Sequence, residues 1–486
     1  MTTTTNTSWP TPVGVAALLD DVLHTDPAHP RPALRYLRRK PGRGLVAVYG
    51  DAREEMYTVT VDETAAAGHQ AAAGHQAAAP GHEKATTGRV SAVSVTADPT
   101  YLADADGSVV HIDRLGVTIQ RFPHDERLPG LEAAVHPVPG DPVWTALAAV
   151  LSADGSEEVE LRAVSAVPLR YKPGDRCVLR YRLEGQGSAG GRVTGSVIGK
   201  LYRTVEQAHD ATTLAERLWS LQGDRPWAPR PLGSVDPLPL VLTEDLGSAS
   251  DTPPTVMGTE VVRMGAVSAH AAVEAAAAAL ADLHLGGTAQ PETPQRTGAQ
   301  EAVKAVNRAA TIGRYVPELA DRAAALGRAV GAALESSTPQ GFRPSHGSYK
   351  PSQLLHRDGA VLLVDFDQFC LADPALDLGY FLAYLRPPGL WYHRAGTRAW
   401  FEDAAATFLT GYASAARARG MGQDELDGAL RRSHVYEAAL LLKIAARRPN
   451  RLHSARPGEV RALLEEVAAC LDEGAAVDKA SAGRQG

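Results

Sequence analysis

The chain has 486 residues, 44% of them hydrophobic and 22% charged, enough to bury a full core and to divide into roughly two or three domains. Its net charge of −7 gives no global electrostatic case for nucleic acid or an anionic membrane. The three cysteines, Cys177, Cys370 and Cys470, lack C-x-x-C spacing, which argues against a zinc site or a disulfide framework and fits small buried apolar residues in a reducing cytosol.

The opening run Met1 to Thr7 has no basic region followed by an apolar core, so no secretory signal is expected. Residues 1–30 are expected to be mobile, with one short helix near Val15–Leu23. A β-rich stretch follows, interrupted at 65–82 by Ala-Ala-Ala-Gly-His-Gln repeats that offer little apolar surface and read as a flexible loop. Its histidines, His69, His75 and His82, match no standard metal-ligand spacing.

Leu37-Arg38-Arg39-Lys40-Pro41-Gly42, followed by an apolar strand, returns as Leu169-Arg170-Tyr171-Lys172-Pro173-Gly174, followed by Cys177-Val178-Leu179-Arg180-Tyr181. In both copies Pro-Gly predicts a tight turn between two strands. The first copy runs on into Met56–Val61 and the second into Val197–Arg203, which carries one lysine, Lys200, in an apolar context. A helix is predicted from about His209 to Leu221, with Glu216 on it and Glu206 just before it. Leu238–Gly247 predicts a buried strand ending in a polar turn that contains Glu244. An alanine-rich helix from about Ser268 ends in Leu280-Ala281-Asp282-Leu283-His284, where His284 suits a structural cap better than a catalyst. That helix carries His270, Glu274 and Asp282, so it reads as a soluble helix and not as a membrane span.

The densest chemistry lies between His346 and Asp377. His346-Gly347-Ser348-Tyr349-Lys350-Pro351-Ser352-Gln353 precedes the apolar strand Val361–Val364, then Asp365-Phe366-Asp367, then Asp373-Pro374-Ala375-Leu376-Asp377-Leu378. A strand that ends in carboxylates, with an amide upstream, suits magnesium, which takes one or two carboxylates together with substrate phosphates.

This ordered set resembles the catalytic and metal loops of the aminoglycoside phosphotransferase/choline kinase-like family, within the protein-kinase-like superfamily. The resemblance implies an α+β, protein-kinase-like two-lobe fold: a β-rich small lobe, a mostly helical large lobe, and here an N-terminal β-rich accessory domain. It implies magnesium on Gln353 and Asp365, and ATP or GTP held by Lys200, by a glutamate partner of that lysine (Glu216 or the competing Glu206), and at the hinge segment of Glu244. His346, Ser348, Lys350 and Asp367 fall in the catalytic loops. The family pattern has aspartate where this chain has Ser348 and asparagine where it has Gln353. Glutamine offers the same amide oxygen. Serine cannot accept a proton near neutral pH as a carboxylate does, a role worth ~10²–10⁴-fold.

The expected organisation is a mobile start at 1–30, an accessory domain at 31–140, a small lobe at 141–247, a large lobe at 248–475 and a tail at 476–486. The accessory domain reads as a degenerate small-lobe copy without a lysine comparable to Lys200. The expected activity is transfer of phosphate to a small-molecule hydroxyl in the cytoplasm, with Asp367 or water replacing the lost base. The alternative is a nucleotide-binding pseudokinase that contacts a protein partner through the N-terminal domain. Neither nucleic acid nor membrane is expected as a partner. In the family, substrate choice falls to helices after the metal loop. Here these carry Tyr380, Tyr384, Trp391, Tyr392, His393 and Arg394, then Lys443, Arg447, Arg448, Asn450, Arg451, His453 and Arg456. So basic a region suits an acidic acceptor better than a polycationic aminoglycoside.

Overall fold

The computed structural model describes residues 33–40, 44–50, 56–61, 102–103, 109–112, 116–153, 159–222, 227–247, 255–256, 266–286, 292–357, 360–386, 397–448 and 457–482. The expectations for 1–30, for the 65–82 loop with His69, His75 and His82, and for Trp391 to Arg394 and Asn450 to Arg456 lie outside these residues.

The N-terminal sheet contains β1 (Ala33–Lys40), β2 (Gly44–Gly50), β3 (Met56–Val61), β4 (Leu102–Ala103), β5 (Val109–Ile112) and β6 (Val117–Arg121). Two helices, α1 (Leu131–Val135) and α2 (Pro142–Ala153), lead to a second sheet. That sheet holds β7 (Val159–Lys172), β8 (Arg176–Gly187), β9 (Arg192–Leu201), β10 (Pro231–Val235) and β11 (Leu240–Glu244), with α3 (Val205–Ser220) between β9 and β10. Thr204 caps α3 by accepting from Gln207 N at 3.3 Å, which starts the helix four residues before the predicted His209.

The two sheets share the order of five strands, and the first adds β4 at one edge. The first runs β1-β2-β3-β6-β5-β4 and the second β10-β11-β9-β8-β7, so in each a three-strand meander is followed by a hairpin whose later strand pairs with the third. The registers agree too, since Lys40 pairs with Gly44 and Lys172 with Arg176, the same positions of the sequence repeat. In β8 alternate residues Cys177, Leu179, Tyr181 and Leu183 point into the core beneath, and their neighbours face the cleft.

The remaining elements form the helical lobe: β12 (Thr255–Val256), α4 (Ala266–Gly286), β13 (Gln295–Arg296), α5 (Gly298–Tyr315), α6 (Ala320–Ser336), β14 (Arg343–Ser345), β15 (Leu354–Arg357), β16 (Ala360–Leu363), β17 (Cys370–Ala372), α7 (Ala375–Leu385), α8 (Thr397–Ala418), α9 (Gln423–Arg447) and α10 (Pro457–Ala482). The last helix runs past residue 475, where a tail was expected. Small residues let these helices approach closely. A Cβ on Gly379 of α7 would lie 2.6 Å from Glu437 N of α9, so only glycine fits that crossing. All three cysteines are buried and free. Among the described residues no helix is long and apolar enough to cross a membrane. Mixed helix and sheet in two lobes, with an N-terminal β-rich sheet, is the architecture the sequence predicted.

The N-terminal sheet grips the turn between β7 and β8. Asp125, just past β6, is buried and accepts from Tyr171 Oη at 2.7 Å, Gly174 N at 2.7 Å and Arg127 N at 3.0 Å. The Phe122 ring packs edge-on against Tyr171, with centroids 5.2 Å apart. Asp125→Ala would leave these donors without an acceptor, and each unsatisfied group costs about 1–3 kcal/mol. The expected loss is about 3 kcal/mol in denaturant melts, partly recovered by Asp125→Asn; a loss below about 0.5 kcal/mol would contradict this anchor.

Candidate active site

The site lies where the cleft face of the second sheet meets the loops after β14 and β16. Alternation in β9 buries Val197, Gly199 and Leu201 toward the core side and leaves Lys200 on the cleft face. Val178 of β8 pairs with Lys200, which puts Arg176, two residues before Val178, on that same face. Across the cleft, β15 and β16 form a hairpin whose last strand delivers Asp365, a non-glycine residue at φ 70°. Such a conformation is costly for most side chains, and it concentrates where geometry at a site demands it.

Lys200 Nζ donates to Asp365 Oδ1 at 2.8 Å and to Asp367 Oδ1 at 2.5 Å. Arg176 bonds the other Asp367 oxygen and lies 3.8 Å from Asp365 Oδ1, and Tyr202 Oη donates to Asp367 at 3.0 Å. Burial alone would raise the Asp365 carboxyl, but Lys200 and Arg176 hold it well below the ordinary carboxylate range. Burial draws the Lys200 ammonium down against the pull of Asp365. The pair is an ion pair, because each charge stabilises the other.

The catalytic loop closes on the same carboxylate. Gln353 Nε2 donates to Asp365 Oδ2 at 2.9 Å, and Gln353 Oε1 accepts from Ser348 Oγ at 3.2 Å. Ser348 Oγ also lies 3.4 Å from His346 Nδ1. His346 Nε2 faces Val364 O at 3.2 Å and so carries the proton, leaving Nδ1 unprotonated; the single Ser348 hydroxyl proton can go to that nitrogen or to Gln353 Oε1, not to both. Burial lowers the His346 pKa, partly opposed by Asp377 and Asp365, so the ring is neutral. Gly347 has φ +71°, and a Cβ there would meet Gln368 O at 1.9 Å; the turn admits only glycine.

Two buried groups hold the loop from below. Asp377 accepts from His346 N at 2.7 Å and Tyr349 N at 3.4 Å, with His284 Nε2 at 3.5 Å and His284 Nδ1 bonded to Tyr412 Oη at 2.8 Å. His284, at the end of α4, lies beside Asp377 without a hydrogen bond to it. Arg296 Nη1 donates to Gly347 O at 2.6 Å.

Several predicted residues meet and others do not. Lys200, Gln353, Asp365, Asp367, Ser348 and His346 form one connected network. Glu216 and Glu206 do not belong to it: both are exposed on α3, and among the described residues neither pairs with Lys200. Glu244 spends its side chain on closing the β10–β11 hairpin, accepting from Arg230 N at 2.9 Å. Its neighbour Asp245 is the better-anchored hinge residue, bound to Arg180 at 2.7 Å and Ser196 Oγ at 2.6 Å. Lys350 lies over the Tyr384 ring at 5.7 Å, and burial lowers its pKa. Arg176, Tyr202 and Asp125 were not singled out from the sequence. The repeat that exposed the turn gave no sign of which side chains it aims into the cleft.

The donor set fits a divalent hard cation. Asp365 supplies a carboxylate; Gln353 points its amide nitrogen at that carboxylate and its oxygen at Ser348, so the amide would turn over for its oxygen to join a cation beside Asp365. Among the described residues no three His, Cys, Asp or Glu side chains gather as an all-protein metal cage.

Residues 187–428 match the model of the APH phosphotransferase enzyme family. Over these residues the chain belongs to the APH phosphotransferase enzyme family. Similar solved structures include a glucosamine kinase in complex with glucosamine, ADP and inorganic phosphate (16% identity, 96% of this chain and 97% of that chain covered, TM-score 0.43). A putative aminoglycoside phosphotransferase from Ralstonia eutropha JMP134 is 13% identical, with 69% and 98% covered and a TM-score of 0.44. Choline kinase LicA from Streptococcus pneumoniae is 11% identical, with 67% and 98% covered and a TM-score of 0.39. Comparison with curated proteins found no match. Relative to its family's pattern, this chain keeps the metal-loop aspartate as Asp365 and departs at Ser348 and Gln353.

Because Asp377 takes two backbone donors inside the protein, Asp377→Ala should destabilise the fold by about 3 kcal/mol, from about 1–3 per orphaned group. Asp377→Asn keeps one acceptor and should lose less. Denaturant melts that leave Asp377→Ala within about 0.5 kcal/mol of wild type would show that the loop is held otherwise.

Proposed function

We propose that the chain is a phosphotransferase that uses a nucleoside triphosphate and magnesium to phosphorylate a hydroxyl of a small molecule. One observation carries this reading: Lys200 of the sheet lobe and Gln353 of the helical lobe converge on the same carboxylate, Asp365. Magnesium held by Asp365 and Gln353 would neutralise charge developing on the transferred phosphate. Lys200, Arg176 and Lys172 supply the positive side of the cleft. Burial and the neighbouring Arg176 and Arg170 lower Lys172 to about 8, so it stays mostly a cation at neutral pH and phosphates would hold it charged.

Ser348 does not act as the base. Its hydroxyl is engaged with Gln353 and His346, and a serine does not hold a proton taken from an alcohol at neutral pH. Asp367 was the expected substitute, yet Lys200, Arg176 and Tyr202 occupy its oxygens, so we assign it to holding the roof of the cleft. The acceptor proton then leaves late, to water or to the phosphate itself. Phosphoryl transfer tolerates this because positioning and charge neutralisation lower its barrier more than a base does.

The pseudokinase alternative rests on Ser348 and on a network that is satisfied without substrate. A direct test follows the products of an ATP reaction with a metabolite extract by mass spectrometry, with and without magnesium. Wild type should yield a magnesium-dependent phosphorylated product, and Ser348→Asp should form it about tenfold faster or more, toward the ~10²–10⁴ typical of a positioned base. No product from either protein, with nucleotide still bound, would favour the pseudokinase.

A further inference from the structure

Behind the catalytic loop, the helical lobe concentrates positive charge that the phosphate-transfer network does not use. Tyr380 and Tyr384 of α7 stack with centroids 6.1 Å apart and planes 7° from parallel. Four basic side chains surround them. Lys443 of α9 donates to Tyr380 Oη at 2.5 Å, Arg447 donates to Tyr384 Oη at 3.3 Å, Arg296 lies over the Tyr380 ring at 5.5 Å, and Lys350 lies over the Tyr384 ring at 5.7 Å. The cluster reaches the transfer site twice, because Arg296 also bonds Gly347 O and Lys350 stands two residues past Ser348.

Negative charge does not match it. Glu301 is buried and is shared among Arg296 at 2.6 Å, Lys304 at 2.7 Å and Arg308 at 3.7 Å. Its pKa falls to about 2, with burial opposed by Arg296 and Lys304. Among the described residues, Lys350, Lys443 and Arg447 have no carboxylate within ion-pair distance. An ammonium taken out of water without a counter-charge is unfavourable. Burial, then Arg447, Arg308 and Arg296, pull Lys443 down to about 6, with Glu301 opposing. A bound anion would reverse that penalty, and tyrosine hydroxyls with a guanidinium fork suit the oxygens of a phosphate or carboxylate.

We propose that this cluster is the site for an acid group on the acceptor molecule: a small hydroxy compound bearing a phosphate or a carboxylate, gripped by Lys443 and Arg447 and oriented by the Tyr380 and Tyr384 hydroxyls. Calling the ligand an acceptor rests on the phosphotransferase reading; the anion site itself does not. A polycationic acceptor is disfavoured by the same charges.

The test is calorimetric titration of inorganic phosphate and, separately, of acetate at constant ionic strength, with and without magnesium and a non-hydrolysable ATP analogue. The proteins are wild type, Lys443→Met and Arg447→Gln. Arg447 is exposed, so its variant is expected to fold, and Lys443→Met keeps the stem while removing the amine. Wild type should bind at least one of the two anions, and each variant should bind it tenfold or more weakly. The anion bound more tightly identifies the acid group. No binding of either anion to wild type, or affinities unchanged in both variants and therefore an adventitious ion only, would overturn the proposal. The analogue separates the two readings: anion binding that depends on Lys443 without analogue binding removes the phosphotransferase and keeps the site. Analogue binding without anion binding does the reverse.

Discussion

Two charges meet across a cleft. Lys200 comes from a strand of the sheet lobe and Asp365 from a loop of the helical lobe, and the 2.8 Å contact between them sets the distance between the lobes at the place where phosphates would sit. Neither charge is stable there alone, since burial works against both. Asp365 meets Lys200 from a left-handed backbone, and Gln353 turns its amide nitrogen toward the same carboxylate. A nucleotide with its metal would substitute for these contacts and would not have to create a charged site from nothing.

The supports of that pair come from distant parts of the chain. Asp125 ties the N-terminal sheet to the β7–β8 turn, whose far side sends Arg176 to Asp367. Asp377 holds the catalytic loop from underneath, and Gly347 lets it pass against Gln368. The accessory sheet therefore has a physical route to the cleft, through one buried carboxylate and one turn. Apart from its extra edge strand β4, its strand order matches that of the sheet it grips, which fits the Lys-Pro-Gly sequence repeated at 40–42 and 172–174.

Much of this was legible from the sequence because it is local. Strand, turn and carboxylate follow each other within about thirty residues from His346 to Asp377, so this ordered set carried the family resemblance that implied a two-lobe fold and singled out Asp365. Partnerships that depend on which face of a helix turns inward were not legible. Glu216 stands at a plausible separation from Lys200, yet α3 buries Ala208, Thr212 and Leu218 and leaves Glu216 in solvent. Arg176 escaped notice because a charged residue after a Pro-Gly turn is usually solvated; only the pairing of β8 with β9 places it beside Lys200. The basic residues of α9 were visible as a group, whereas their stacking around Tyr380 and Tyr384 required the fold.

The central claim is that Asp365 is a metal ligand and Lys200 a phosphate ligand in one nucleotide site. Calorimetric titration of a non-hydrolysable ATP analogue into wild type and Asp365→Asn, each with and without magnesium, tests it most directly. The account predicts that magnesium tightens binding to wild type by tenfold or more, and that Asp365→Asn loses this dependence while its melting behaviour shows an intact fold. Magnesium-dependent binding that persists unchanged in Asp365→Asn, or no binding of the analogue to wild type at millimolar concentration, would contradict it.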